Sequence, residues 1–156
     1  MRRKDREVAS PDRIREIISA CHCCRLGFCD HGKVYIVPLN FGFSESDGKY
    51  SFYFHGAKEG RKADLIREYH YAGFEMDTNY RLNEGEEACG YSARFQSVIG
   101  SGKVDFIEDE AEKEKALQVI MCHNTGKSGW TFSEEALRHV GVFRLEAEEL
   151  SCKEHL

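Results

Sequence analysis

Apolar residues recur along the chain with two different periods. The first apolar stripe has the spacing of a helix face and comprises Ile14, Ile17, Ile18 and Cys21. Ser10 followed by Pro11 is a typical helix start, so the first element is predicted to be a helix. From residue 24 the apolar positions alternate with polar ones, which predicts strands. We expect six of them, at residues 24–29, 33–43, 50–55, 71–80, 95–108 and 140–150.

Helical spacing returns at residues 60–69 and 110–123, and Ser133 is positioned to cap a further short helix. Residues 30–32 and 44–48 are predicted turns, and residues 81–91 a polar loop. Pro38 cannot donate to a strand ladder and therefore marks an edge, a bulge or a local opening. Strands joined mainly by hairpins predict an α+β fold that is mainly β. We expect a six-stranded antiparallel barrel with peripheral helices, formed as one domain by residues 1–156.

The charge balance argues against two classes of partner. The chain carries 22 Lys and Arg against 27 Asp and Glu, a net charge of −5, which is not typical of a nucleic-acid binder. The sequence has no apolar run long enough to span a bilayer. The charged segment from Met1 to Glu7 is followed by no apolar region typical of an export signal. We therefore expect a cytoplasmic protein that binds neither nucleic acid nor membrane.

The seven cysteines require a separate interpretation. Their odd number favours reduced thiols over a disulfide framework. Those that fall in predicted helices or strands are expected to be small buried hydrophobic residues: Cys21, Cys23, Cys24, Cys29 and Cys122. A zinc site formed by Cys21, Cys24, Cys29 and His31 is the weaker alternative. Its ligands would come from only eleven residues, without the longer loop that structural zinc sites usually contain, so we predict no metal.

One segment combines several cationic side chains with a turn. Residues 52–62 run from the end of a strand, through small residues, to the start of a helix. The segment includes His55, Lys58, Arg61 and Lys62. A helix N-terminus offers free backbone N–H groups and a partial positive charge, both of which favour phosphate. Cations placed there oppose the helix dipole, so the cluster indicates either a bound anion or a solvated basic turn.

Three segments, in this order, resemble a known family of flavoproteins. The segments are residues 37–42 (VPLNFG), 53–62 (YFHGAKEGRK) and 97–102 (SVIGSG). They are similar to the pyridoxamine 5′-phosphate oxidase superfamily, whose fold is the FMN-binding split β-barrel. The similarity is greatest to its nitroimidazole-resistance (Nim) branch and extends from Met1 to the last strand. Gly56 departs from that pattern, because this branch usually has Ser there.

The resemblance implies a set of cofactor contacts. Arg61 and Lys62 match the pair that holds the FMN phosphate, and four residues match the strand end and turn beside that phosphate: His55, Gly56, Ala57 and Lys58. Val37, Pro38, Leu39 and Asn40 match the strand along the isoalloxazine ring. Ser97, with Val98, matches a flavin-contacting position supplied by the same chain or by the partner of a dimer. His55 is a weak candidate for a catalytic acid or base, since phosphate contact or a structural role explains it better.

The resemblance also implies a function. We expect a homodimer with FMN at the subunit interface, FAD being the alternative flavin. It would transfer electrons from NAD(P)H to a small acceptor such as a nitro-aromatic compound or a quinone. A flavin-binding protein without turnover, or a sensor whose thiols report oxidation, is the main alternative. The zinc-stabilised module and a true pyridoxamine phosphate oxidase are weaker alternatives.

Overall fold

The computed structural model describes residues 3–156, so Met1 and Arg2, where the sequence resemblance begins, lie outside the described residues. All of the strands join one sheet. They are β1 (Glu7–Val8), β2 (Cys24–Asp30), β3 (Lys33–Leu39), β4 (Phe41–Ser46), β5 (Lys49–Gly56), β6 (Tyr71–Asn83), β7 (Ser92–Phe106) and β8 (Gly141–His155). The helices are α1 (Pro11–Ala20), α2 (Arg61–Tyr69), α3 (Glu110–Thr125) and α4 (Glu134–His139). Short 3₁₀ turns lie at Lys4–Arg6 and Ala88–Gly90.

The mainly β, antiparallel class predicted from the sequence is confirmed, but the strand count of six is wrong. The strand order is β3-β2-β6-β7-β8-β5-β4, and the short β1 pairs with β8. The extra strands have two sources: β1, and the division of the predicted strand 33–43 into β3 and β4. Asn40 separates these two, and they lie at opposite edges of the sheet. The chain thus passes from one edge strand of the sheet (β3) to the other (β4) through the single residue Asn40.

Asn40 is held at this crossing by hydrogen bonds to neighbouring elements. Its amide nitrogen donates to the carbonyl oxygen of His22 (3.1 Å) and to the side chain of Asn124 (3.4 Å). Asn124, near the end of α3, donates in turn to the carbonyl oxygen of Phe41 (2.9 Å). These hydrogen bonds satisfy polar groups at the point where the β ladder is interrupted. Pro38, two residues earlier, lies on the edge strand β3, where a missing donor costs least.

The helix boundaries follow the capping residues. Ser10 caps α1 by accepting from the backbone N–H of Arg13, and Asp109 and Ser133 cap α3 and α4 in the same way. The left-handed residue Gly126 ends α3. The predicted polar loop is shorter than expected, because β6 continues to Asn83 and β7 begins at Ser92. Cross-strand pairing therefore extends further along this hairpin than the residue types alone indicate.

Large aromatic side chains from β2, β4, β5 and β8 form the centre of the core. Five fully buried aromatic residues anchor it: Phe28, Phe41, Phe52, Phe54 and Phe143. Phe54 stacks on Phe143, with their ring centroids 5.3 Å apart. Gly42 allows α3 to approach β4, since a Cβ atom there would lie 2.7 Å from the backbone of Ile120. Within residues 3–156, no helix is long and apolar enough to cross a membrane.

The cysteines divide into buried and exposed groups. Cys21, Cys24 and Cys152 are buried and Cys23 is half-buried. Cys29 and Cys122 are exposed, so the prediction that they are buried is wrong. Cys29 faces outward at the end of β2, and Cys122 lies on the solvent side of α3. In the part of the chain that the structure describes, no three His, Cys, Asp or Glu side chains are placed to share a metal ion.

Candidate functional site

The turn between β5 and α2 has the backbone geometry of an anion site. Gly56 ends β5 and pairs with Gly141 of β8. Gly60 precedes α2 with a positive φ of 99°, a conformation that favours glycine. No side chain caps the helix start at Gly60. The first backbone N–H groups of α2 therefore face outward without the partner that Ser10 or Asp109 gives to other helices.

Lys62 is half-buried beside this turn. Its Nζ lies 2.6 Å from the point where a Cβ atom at Gly56 would be, and 5.1 Å from the ring centroid of Phe143. Burial lowers the pKa of the Lys62 ammonium group. Within residues 3–156, no carboxylate lies at ion-pair distance from it. A half-buried cation that has only an aromatic ring beside it is stabilised when an anion binds next to it.

Arg61, the other half of the predicted pair, is already engaged by the β2–β3 turn. Its Nη2 lies 2.7 Å from the carboxylate of Asp30, and its guanidinium carbon lies 4.6 Å from the ring centroid of Tyr35. Asp30 also binds Nδ1 of His31 at 2.9 Å. Hydrogen bonds from His31 and then Arg61 lower the pKa of Asp30, and the bond to Asp30 raises the pKa of His31. The guanidinium group of Arg61 is therefore held in a fixed orientation by Asp30 and Tyr35.

Lys58 holds the turn in place instead of facing the helix start. Its Nζ donates to the carbonyl oxygen of Arg138, and its own carbonyl oxygen accepts from Nη2 of Arg67 (2.7 Å). The guanidinium of Arg67 also lies over the ring of Phe106, 4.8 Å from its centroid. Ala57 is exposed between these contacts. The structure therefore assigns Lys58 and Ala57 to the framework of the turn, and it leaves Lys62 as the cation closest to Gly56.

The predicted ring-contacting residues lie on β3, next to the same site. Val37 and Leu39 are half-buried and pack on the core, whereas Pro38 faces outward opposite Arg25. Arg61 stacks on Tyr35 of this strand, which brings the start of α2 to β3. His55 is exposed near the end of β5, opposite Val142. The fold therefore brings the VPLN segment and the cationic turn to one region of the surface.

Ser97 and Val98 do not join this region within one chain. Val98 is fully buried in the core, whereas Ser97 faces the outer surface of β7 between Asp77 and Lys153. The sheet order places β8 between β7 and β5. Only Ser97 offers its side chain to a ligand, because successive side chains of a strand point to opposite faces.

The arrangement fits a phosphate-bearing ligand. The uncapped start of α2, the unpaired ammonium of Lys62 and the guanidinium of Arg61 together supply backbone, point-charge and forked donors. Three contributors could not be read from the sequence: Asp30, Tyr35 and Phe143. The Asp30-His31-Gly32 segment is recognisable only as a turn, and Phe143 only as a core residue, because each acts through a tertiary contact.

Comparison with solved structures reveals the same fold in other proteins. A "putative 5-nitroimidazole antibiotic resistance protein" from Bacteroides thetaiotaomicron is 33% identical, with a TM-score of 0.81 over 95% of this chain and 86% of that one. The flavocytochrome Anf3 from Azotobacter vinelandii is 21% identical, with a TM-score of 0.82 over 100% of this chain and 72% of that one. An FAD and heme binding protein from Mycobacterium smegmatis is 15% identical, with a TM-score of 0.79 over 96% of this chain and 73% of that one. The last two show similarity of fold alone.

Comparison of the sequence with known families agrees with the fold. No protein with a curated description matches the chain. The model of the pyridoxamine 5′-phosphate oxidase family matches residues 10–154, which include the VPLN strand, the cationic turn and most of β8. The resemblance that the three sequence segments carry is thereby confirmed, and the chain belongs to the pyridoxamine 5′-phosphate oxidase family.

Proposed function

We propose that the protein is a flavin-dependent oxidoreductase that binds FMN at the turn between β5 and α2. The observation that carries the proposal is Lys62, a half-buried ammonium group without a carboxylate partner among residues 3–156, beside an uncapped helix start. A phosphate in this position restores the charge balance that burial makes unfavourable. The FAD and heme binding protein and the flavocytochrome share the fold, which supports a flavin as the ligand.

In this proposal, different residues of the chain contact the phosphate and the ring of the cofactor. Lys62, Arg61 and the N–H groups of α2 hold the phosphate, and Gly56 leaves room for the ammonium of Lys62. The half-buried side chains of Val37 and Leu39, with the backbone at Pro38 and Asn40, provide an apolar wall for a planar ring. Pro38 leaves no backbone donor directed at that ring.

A flavin bound here supplies two-electron chemistry, taking a hydride from NAD(P)H and passing electrons to an acceptor. With a quinone the balance is one NAD(P)H, one proton and one quinone giving NAD(P)⁺ and one hydroquinone. The name of the Bacteroides relative supports a nitro-aromatic acceptor as the alternative to a quinone. His55 is exposed next to the turn, and we assign it to the phosphate surroundings in preference to an acid–base role.

The outer face of the sheet supports a homodimer. Val34 and Ile36 of β3 are 75% and 60% exposed, and Ile99 of β7 is 48% exposed. Ser97 lies on the same face of β7 as Ile99, because residues two apart in a strand share a face. A second copy packed on this face would cover the apolar residues and bring its Ser97 towards the flavin. The proposal also includes a single domain, a homodimer and a cytoplasmic location, where thiols stay reduced.

Replacing Lys62 tests the proposal. Lys62→Gln removes the charge and keeps the side-chain length, so FMN affinity should fall at least tenfold. Lys127→Gln, an exposed lysine on a loop, is the matched control and should bind FMN as the unchanged protein does. Purified protein should be yellow, and replacing Arg61 and Lys62 together with Ala should yield colourless, folded protein. Stoichiometric FMN in that double variant would overturn the assignment.

A flavin-binding protein without turnover, with a thiol that reports oxidation, is the second candidate. Exposed Cys29 favours it, because this residue directly precedes Asp30, the partner of Arg61. Steady-state oxidation of NAD(P)H with a nitro-aromatic or quinone acceptor separates the two candidates. Turnover supports the enzyme, whereas flavin binding without turnover, combined with an affinity that changes on Cys29 oxidation, supports the sensor.

A further inference from the structure

A second concave site lies far from the cationic turn, at the end of the β6–β7 hairpin and the last residues of β8. It is a cavity of about 460 Å³, a volume within the usual range for small-molecule sites. Gly141, beside the cationic turn, begins β8 and His155 ends it, so the two sites lie at opposite ends of that strand. The lining residues that matter here are Asn79, Tyr80, Arg81, Arg94, Phe95 and His155.

Two arginines face each other across the hairpin in this cavity. Arg81 of β6 and Arg94 of β7 are directly opposite in the ladder, so their Cβ atoms lie roughly 5 Å apart. Arg94 shares its face of β7 with Gln96 and Val98, which are buried, so both arginines lie on the inner face of the barrel, at its open end. Like charges directly opposite in a ladder are destabilising unless something neutralises them.

A β-bulge sets the position of Arg81. Between the pairs Thr78–Gln96 and Arg81–Arg94, the β6 residues Asn79 and Tyr80 together face the single residue Phe95. Asn79 has a φ of 56°, in the left-handed region that few residues other than glycine adopt. A bulge redirects the side chains that follow it, and it is common beside binding sites. Here it brings Arg81 into line with Arg94.

The arginines of this region lack acidic partners, unlike most others. Seven of the eleven arginines in residues 3–156 form ion pairs with carboxylates. The four that do not are Arg6, Arg81, Arg94 and Arg138, and the first three lie in or behind this cavity. Arg6 contacts His155 (3.4 Å) and lies over Phe95, and its Nε is buried without a hydrogen-bond partner. In a chain with a net charge of −5, such a cluster requires an explanation.

Glu154, which contacts two residues that line the cavity, is already paired. Glu154 accepts from Arg13 (2.7 Å) and from buried Gln96 (3.1 Å). Gln96 in turn accepts from Asn79 (2.6 Å). The Arg13 guanidinium lowers the pKa of Glu154. Among residues 3–156, the one side-chain acceptor bound to Arg81 or Arg94 is Asn83, which accepts from Nε of Arg94 (2.8 Å).

Aromatic side chains lie at the edge of the cavity. The rings of Phe95 and His155 meet edge to face, with centroids 6.4 Å apart, and Tyr80 is 67% exposed at the rim. Nδ1 of His155 lies 2.6 Å from the carbonyl oxygen of Ala93, and its Nε2 lies 3.4 Å from the guanidinium of Arg6. The cavity therefore combines two guanidinium groups that have no carboxylate partner among residues 3–156 with aromatic side chains at its edge.

We propose that this cavity is a binding site for a small aromatic compound that carries a phosphate or a carboxylate. The anionic group lies between the guanidinium groups of Arg81 and Arg94, which bind such groups in a forked manner. The ring of the compound packs against Tyr80 at the rim. The site is separate from the phosphate site proposed at Lys62, and it stands whether or not that site binds a flavin.

Calorimetric titration with phenyl phosphate tests the proposal. The variants Arg81→Gln and Arg94→Gln should each lower the affinity at least tenfold. Because each also removes a like-charge contact, the ligand-free melting temperature should stay the same or rise. Arg138→Gln, at an arginine that also has no ion pair among residues 3–156 but lies outside the cavity, is the matched control and should bind as the unchanged protein does. Inorganic phosphate should bind at least tenfold more weakly, because it lacks the ring, and benzoate tests the carboxylate.

Measurements in a Lys62→Gln background separate this site from the other. Binding of phenyl phosphate that persists there and is lost with Arg81→Gln supports the proposal, even if the protein proves to bind no flavin. Three results would overturn it: no binding of phenyl phosphate or benzoate at millimolar concentration, unchanged binding in both arginine variants, or binding that is lost with Lys62→Gln alone. Equal affinity for inorganic phosphate would overturn the aromatic part of the site.

Discussion

The ammonium nitrogen of Lys62 lies 2.6 Å from the point where a Cβ atom at Gly56 would be. A lysine six residues beyond the end of β5 thus fills the space that a side chain at the last residue of that strand would need. This relationship explains why glycine at position 56, where the Nim branch usually has serine, is compatible with anion binding. The ammonium group of Lys62 lies close to where the serine side chain would be, and it supplies a charge in place of the missing hydroxyl.

Gly56→Ala should therefore weaken FMN binding without unfolding the protein. The new methyl group displaces the end of a flexible side chain, which is cheap, but it removes Lys62 from its place above the turn. Losing one charge-assisted contact lowers affinity roughly tenfold. Fluorescence titration with FMN measures the change. Gly90→Ala is the control, because a Cβ atom there makes only ordinary contact (3.4 Å). Equal affinity in both variants would contradict the role given to Lys62.

The pair Asp30–His31 should make stability depend on pH near neutrality. The hydrogen bond to Asp30 raises the pKa of His31, so its contribution is fully present below the ordinary histidine pKa of about 6.5. It is lost as the pH rises through the raised value. The difference in melting temperature between the unchanged protein and His31→Gln should be largest near about pH 5 and should vanish in mildly alkaline solution. His22→Gln is the control, and a difference that grows with pH would contradict this sign.

Glu154 should stabilise the end of the barrel through Arg13 and Gln96. Glu154→Ala leaves the buried amide of Gln96 without its acceptor, at a cost of about 1–3 kcal/mol, equivalent to a fall of roughly 2–4 °C in melting temperature per kcal/mol. Since Arg13 lowers the pKa of Glu154, the contribution is present at neutral pH and is lost as the pH falls through that lowered value. Glu16→Ala removes an exposed partner of the same arginine and should cost much less.

The cysteines should react with thiol reagents in two groups. Burial raises the pKa of the Cys21 thiol to about 12 and that of Cys152 to about 11, and it raises that of Cys24 as well. These three should be labelled only in denaturant. Mass spectrometry after brief labelling of native protein should instead detect the exposed thiols Cys29, Cys89 and Cys122. Rapid labelling of Cys24 in native protein would contradict the packing of β2.

The sequence predicts well those parts of the fold that local signals determine. Ser10, Pro11 and Ser133 mark helix starts, and the alternation of apolar residues marks most strands and their inner faces. The division of residues 33–43 could not be predicted, because Asn40 is held by His22 and Asn124, which are distant in sequence. Residues 81–83 and 92–94, most of which are polar, join the sheet because they pair with each other, not because of their own propensities.

The two sites differ in the same way. The cationic turn near Lys62 is continuous in sequence and resembles a family motif, so residues 55–62 are identifiable at once. The Arg81–Arg94 cavity depends on strand register and on a bulge at Asn79, and no local sequence pattern predicts either feature. Even within the turn, the sequence indicates Arg61 and Lys62 as equal partners. The contacts of Arg61 with Asp30 and Tyr35 make them unequal, since only Lys62 lacks a carboxylate partner in the described part of the chain.

The outer face of β3 should be the dimer interface. Val34 and Ile36 are the most exposed aliphatic residues of the sheet, and glycines at positions 27 and 73 form a flat surface next to them. Such a surface is typical of a protein interface. We expect an interface larger than about 2,000 Å² with two-fold symmetry, and a mass in solution twice the chain mass of 17.9 kDa.

Ile36→Lys places a charge at the centre of this face and should convert the dimer to a monomer, as measured by light scattering on dilute protein. Its side chain is 60% exposed in the single chain, so folding of the monomer should be little affected. Tyr91→Lys, at an exposed aromatic residue outside the face, is the control and should remain dimeric. FMN should be released as the dimer dissociates, because each flavin is expected to contact Ser97 of the partner. A monomer that keeps its flavin would place the ligand within one chain and contradict the interface site.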